Sequence, residues 1–107
     1  MKKVGLVLAF SVVLINLFQR SGISEGAKLV DKSDCRNCHH QSKKIIGPSF
    51  LSIAGKYSAN EKNLRSLTDK IIDGGGGVWG DSPMTPHPDL KKSDAKLMVL
   101  YILSLKK

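Results

Sequence analysis

The amino-acid sequence predicts an all-α protein, built from three or four short helices and one large irregular loop. The first observation is the helical spacing of apolar residues, clearest at Leu64, Leu67 and Ile71. The second is a nearly all-apolar segment, LMVLYILSL at residues 97–105, which as a helix has to be buried on more than one side. The third is that no segment alternates apolar and polar residues as a half-buried strand does.

The N-terminal segment is predicted to be an export signal. Two lysines precede an apolar run, Val4 to Phe18. A membrane-spanning helix needs about 20 apolar residues, whereas the apolar part of a secretory signal needs roughly 7–15. We therefore expect residues 1–26 to be a signal peptide, cut after Ser24 or Gly26, and residues 27–107 to form the exported domain. An uncleaved membrane anchor is the alternative.

The exported part is predicted to contain four helical segments and a loop. The helices are Ala27 to His39, Ser49 to Tyr57 closed by Gly55, Glu61 to Asp73 capped by Asn60, and Asp94 to Leu105 capped by Ser93. The stretch 74–89 (GGGGVWGDSPMTPHPD) is too rich in glycine and proline for regular structure. Its four consecutive glycines predict a loose turn.

The composition argues against one class of binding partner and indicates what a domain of this size needs for its stability. Seventeen Lys and Arg against nine Asp and Glu give a net charge of +8. The lysines are scattered and only 6% of residues are aromatic, which argues against a nucleic-acid-binding protein. A domain of about 80 residues has a small core and usually needs a disulfide, a metal or a large cofactor.

The hexapeptide CRNCHH, residues 35–40, holds the only two cysteines of the chain. A redox dithiol expects a βαβ context, and a zinc site needs two more ligands than these cysteines supply. Covalent haem attachment, in contrast, uses the pattern Cys-x-x-Cys-His. On a helix Cys35 and Cys38 project to one side, so both sulfurs can bond one porphyrin edge while His39 binds the iron. We predict one covalent haem c here, with His40 on the surface.

The second axial ligand to the iron is predicted to be Met84. It lies in the Gly/Pro-rich loop, outside any helical pattern of core residues. The two flanking prolines hold it in place. Methionine with histidine is the usual ligand pair of electron-carrying cytochromes. Met98 fits a core position in the apolar C-terminal helix, and His87, between two prolines, is the second candidate.

Five motifs in order resemble the small bacterial class I cytochromes c across residues 27–107. They are Cys35-Arg-Asn-Cys-His39, Gly47-Pro48, Ile71-Ile72-Asp73-Gly74-Gly75, Val78-Trp79-Gly80 and Pro83-Met84-Thr85-Pro86. The resemblance implies a helical fold wrapped around one haem, with crossed N- and C-terminal helices. It also implies that Pro48 packs beside His39, with a carbonyl of Gly47 or its neighbour accepting the imidazole N–H. Trp79 resembles the family tryptophan that binds a haem propionate.

With both axial positions filled, the iron has no open position for substrate, so we expect an electron carrier rather than an enzyme. Export places it in the periplasm. Its partners are predicted to be redox proteins with acidic docking faces, steered by Lys43 and Lys44 near the haem edge. Two alternatives stay open: a catalytic or sensory haem protein with a dissociable Met84 ligand, supported by the glycine loop, and a membrane-tethered subunit of a redox complex.

Overall fold

A computed structural model describes the backbone of residues 2–106 and the side chains of residues 13–14, 16–17 and 19–106. Within this part of the chain it has five helices: α1 (Lys2–Lys32), α2 (Cys35–Cys38), α3 (Phe50–Lys56), α4 (Glu61–Asp73) and α5 (Lys92–Leu103). Between residues 2 and 106 no β-strand forms, and the one isolated antiparallel bridge joins Gly75 to Met84. The all-α prediction is confirmed.

The predicted helix over residues 27–39 is broken into two. The helix α1 ends at Lys32, and Ser33 and Asp34 form a bend before the single turn of α2. The cause is local, because both the backbone N–H and the hydroxyl of Ser33 donate to the carbonyl of Val30, at 3.2 and 3.0 Å. A serine that bonds back in this way competes with continuation of the helix.

At its other end α1 reaches Lys2 and so passes through both predicted cleavage positions. Most side chains of the apolar run Val4 to Phe18 lie outside the described residues. Among the residues that are described, no helix is long and apolar enough to cross a membrane.

Two of the predicted helix starts are present, and both depend on side-chain caps. The Ser49 hydroxyl accepts the N–H of Ser52 at 3.0 Å at the start of α3, and Asn60 accepts the N–H of Asn63 at 2.8 Å at the start of α4. Each cap satisfies an amide that has no partner within the helix. The helix α4 ends at Asp73 and is followed by Gly74, whose φ of 71° a glycine adopts without strain.

Two predicted helix boundaries are wrong: the C-terminal end of α3 and the start of α5. Gly55 does not close α3, which continues to Lys56. Ser93 does not cap α5, which begins earlier and ends at Leu103. The reason for the earlier start is that the amide of Ala95 already donates to the carbonyl of Lys91 at 3.0 Å, so Ser93 lies within the first turn.

The core is built around α5, which packs against α1, α4 and α3. This arrangement confirms that the apolar C-terminal segment is buried on more than one side. The core side chains include Val30 of α1, Phe50 of α3, and Leu64 and Ile71 of α4. A space remains between α3, α4 and the 74–90 loop, and the site lies in this space.

Candidate functional site

A cavity of about 170 Å³ lies between α2, the 46–57 segment, α4 and the glycine-rich loop. Its lining includes every residue that the sequence predicted for the site: Cys35, Cys38, His39, Pro48, Trp79 and Met84. These residues come from three separate segments of the chain, and the fold alone brings them together. The rest of the wall is largely apolar, with side chains from α3, α4 and α5.

The His39 imidazole is held in a fixed orientation. Its Nδ1 lies 2.7 Å from the carbonyl oxygen of Pro48, and its ring stacks on Phe50 with centroids 5.6 Å apart and planes 20° apart. The turn that carries Pro48 is fastened in its own right, because the N–H of Gly47 donates to the carbonyl of Cys38 at 2.7 Å. A neutral ring that donates from Nδ1 has an unprotonated Nε2, which is the form that binds a metal.

The two cysteine side chains are half-buried, lie one helical turn apart on α2 and are not joined by a disulfide. Burial raises the pKa of the Cys35 thiol, although the Ser33 hydroxyl, 2.9 Å from its sulfur, opposes the shift. A redox dithiol works through a thiolate of lowered pKa, so the shift is opposite to what that chemistry needs. A zinc site lacks support as well, because the described residues include no group of three or more His, Cys, Asp or Glu side chains placed so that they could hold a metal ion.

Met84 is positioned by backbone pairing rather than by its flanking prolines alone. Its N–H donates to the carbonyl of Gly75 at 2.9 Å, and the N–H of Gly75 donates to the carbonyl of Met84 at 3.0 Å. This bridge fastens the loop to the end of α4. The prediction of a loose glycine turn is therefore wrong at its first two residues. The bridge could not be predicted from the sequence, since a single pair of residues forms no periodic pattern.

The other candidate iron ligands lie in surroundings that differ from those of His39 and Met84. Met98 is 1% exposed within the core and does not line the cavity. His87 does line it, but Nδ1 lies 3.1 Å from the carbonyl of Ile71 and Nε2 lies 2.8 Å from a carboxylate oxygen of Asp34. His40 is exposed, as predicted, and its Nδ1 accepts backbone N–H groups of the following turn. Asp34 is a residue that the sequence analysis did not single out.

Trp79 lies at the rim of the cavity and is 39% exposed. The ammonium of Lys56 at the end of α3 lies 5.5 Å from the centroid of the Trp79 ring system, a cation–π distance. Exposed lysines and apolar side chains follow the CRNCHH motif at 43–46. The rim therefore combines positive charge with an exposed aromatic surface.

The residues around the cavity fit a covalently attached haem. Two thiols and an oriented imidazole come from one short segment, a thioether comes from another, and the remaining wall is largely apolar. Imidazole and thioether are the ligand types that hold low-spin haem iron. A large apolar group here would also complete a core that has a cavity at its centre.

Comparison with known proteins gives consistent results. Residues 23–106 match the family model described as Cytochrome c. Cytochrome c-552 of Nitrosomonas europaea is 39% identical over 80 residues, which cover 75% of this chain and 78% of that protein. Cytochrome c-551 of Allochromatium vinosum is 36% identical, covering 72% of this chain and 82% of that protein. The crystal structure of wild-type N. europaea cytochrome c552 superposes with a TM-score of 0.69, over 75% of this chain and 99% of that one.

Proposed function

This chain belongs to the cytochrome c family, and from that premise we propose that His39 and Met84 are the two axial ligands of its haem iron, with Cys35 and Cys38 as the covalent attachment points. The observation that supports the proposal is their convergence on one apolar cavity. Nδ1 of His39 is engaged by Pro48, which leaves Nε2 for the iron. Met84 is the methionine that lines the cavity, whereas Met98 does not.

The protein is an electron carrier with one covalent haem c, and it is not an enzyme. When bound, the haem supplies a one-electron ferric–ferrous couple. The chain's own residues set the conditions for this couple. His39 is oriented by Pro48 and stacked on Phe50, Met84 is fixed by its bridge to Gly75, and the apolar wall excludes water. Little rearrangement of these groups is then needed when the charge of the site changes.

The replacement Met84→Ala tests the axial assignment. We expect the ferric wild-type protein to show the weak far-red absorption band of methionine–iron ligation, and the variant to lose it. The reduction potential of the variant should fall by roughly a tenth of a volt or more, because a thioether ligand raises the potential of haem iron. Optical spectra and a redox titration of the purified, exported protein measure both effects.

The matched control is Met98→Leu, which changes a methionine of similar volume in the core and outside the cavity. A Leu-for-Met exchange usually costs less than about 1.5 kcal/mol, so this variant should keep the band and the potential. Retention of the band in Met84→Ala, or its loss in Met98→Leu, would show that Met84 is not the ligand.

We further propose that the protein is exported to the periplasm and that the signal is cut after Ser24 rather than after Gly26. A Cβ on Gly26 would collide with the backbone of Leu97 in α5, so this glycine belongs to the packed domain. The intact mass of the exported protein tests the boundary. A mass that begins at Glu25 supports it, one that begins at Ala27 contradicts it, and the full-length mass supports the anchor hypothesis.

The redox partners are proposed to dock at the cavity rim through acidic faces. Lys43 and Lys44 are exposed and precede the exposed Ile45 and Ile46 in the chain, and Ile46 and the exposed Trp79 both line the cavity. Such a surface attracts an acidic partner over a distance and then excludes water at close range. Electron-transfer rates with the partner should fall as salt is raised, and more weakly in a chain with Lys43→Gln and Lys44→Gln. Equal salt dependence in both chains would locate docking elsewhere.

A further inference from the structure

The residue His87 connects three parts of the molecule: the 74–90 loop, the end of α4 and the bend before α2. Its backbone N–H donates to the carbonyls of Ile71 and Ile72 at 3.1 and 3.0 Å, which joins the loop to the end of α4. Its ring then joins this point to the bend before α2, where Nε2 lies 2.8 Å from Oδ1 of Asp34. The two residues are 53 positions apart in sequence, and Asp34 directly precedes Cys35.

Both ring nitrogens of His87 face oxygen acceptors. Nδ1 lies 3.1 Å from the carbonyl of Ile71, and Nε2 faces the Asp34 carboxylate. A ring that carries a proton on each nitrogen donates to both oxygens, whereas a neutral ring donates to only one. The His87 side chain is 23% exposed and that of Asp34 is 58% exposed. The pair is therefore partly shielded on the histidine side, where a charge-assisted hydrogen bond is stronger than at a fully exposed site.

The contact between His87 and Asp34 lies three residues after Met84 in the chain, where it helps to hold Met84 in place. Met84 is fastened through its own backbone N–H and carbonyl, which both bond to Gly75, and three residues later the chain is fastened again at His87. The second fastening connects through Asp34 to the segment that carries the cysteines. The segment between Met84 and His87 can move away from the cavity only if the hydrogen bonds at one of these two residues break.

We propose that His87 and Asp34 form a clasp that keeps Met84 within bonding distance of the iron, so that both are positioning residues of the electron carrier. The inference rests on the proposed axial role of Met84. The clasp links the segment that carries the sixth ligand to the segment that holds the covalent attachment. When it is cut, the loop has fewer bonds to break as Met84 leaves, so an external ligand competes more successfully for the iron.

The experiment is a titration of the purified, haem-loaded ferric protein with imidazole, followed by loss of the far-red methionine band. We expect Asp34→Ala and His87→Ala each to raise the apparent affinity for imidazole about three- to tenfold, the range for loss of one partly exposed charged hydrogen bond. The double variant should show no more than the larger single effect, because either change alone cuts the clasp.

The matched control is Asp31→Ala. Asp31 is an aspartate at the end of α1 with 62% of its side chain exposed, and its 3.0 Å ion pair joins it to Arg36 instead of to the loop. This variant should bind imidazole as the wild type does. An Asp34→Ala protein that matches the Asp31→Ala protein, or single effects that add in the double variant, would overturn the clasp. A wild-type protein without the band would instead refute Met84 ligation, and the clasp with it.

Discussion

A chain in which Cys35 and Cys38 are both changed to serine is expected to lack covalent haem and to lose most of its helical structure. The cavity that these residues line lies among side chains of α3, α4 and α5, so the cofactor forms part of the core. A domain of about 80 residues without such a group buries too little apolar surface to offset its chain entropy. A pyridine haemochrome assay measures the attached haem, and far-ultraviolet circular dichroism measures the helices.

The control for this change is Ser33→Ala. It removes the hydroxyl that lies 2.9 Å from the Cys35 sulfur but keeps both thiols and the backbone bond of residue 33 to the carbonyl of Val30, so we expect normal haem content and helicity. A double-serine variant that lacks haem and still shows native circular dichroism would contradict the role of the cofactor in the core. Covalent haem in the double-serine variant would contradict the attachment site itself.

The replacement Gly26→Ala is expected to lower the free energy of unfolding by roughly 2 kcal/mol or more. A Cβ at this position would collide with the carbonyl oxygen of Leu97 and lie 2.7 Å from its carbonyl carbon. These are backbone atoms of α5, so no rotamer change relieves the contact and the two helices must separate. The loss exceeds the roughly 1 kcal/mol that alanine gains over glycine inside a helix. Denaturant unfolding of the haem-loaded protein measures the difference.

The chain offers a matched control in Gly55→Ala. Gly55 also lies inside a helix, but nothing lies within 4 Å of a Cβ placed there, so the alanine should raise the unfolding free energy by roughly 0.5–1 kcal/mol. Two glycine-to-alanine changes in helices are thus expected to have opposite signs. Equal unfolding free energies for wild type and Gly26→Ala would contradict the close contact of Gly26 with Leu97 in the exported protein.

Local chemistry was sufficient to predict much of the molecule from the sequence. The helix over Glu61–Asp73 was predicted with its Asn60 cap and its glycine end, because caps and helical periodicity act within a few residues. The CRNCH motif was sufficient to predict a covalent haem, since the spacing of two cysteines and a histidine is set by one helical turn. Exact helix boundaries were predicted less well: α3 continues past Gly55, and α5 begins before Ser93 because the amide of Ala95 already bonds to the carbonyl of Lys91.

Tertiary structure alone decided how the site is assembled. The bridge from Gly75 to Met84, the contact of His87 with Asp34 and the close approach of Gly26 to Leu97 join residues from different segments. Each depends on where distant parts of the backbone meet, and a single sequence contains no periodicity that reports such a meeting. The sequence by itself predicted which groups bind the haem. The packing of α5 against α1, α3 and α4 determined where those groups are held.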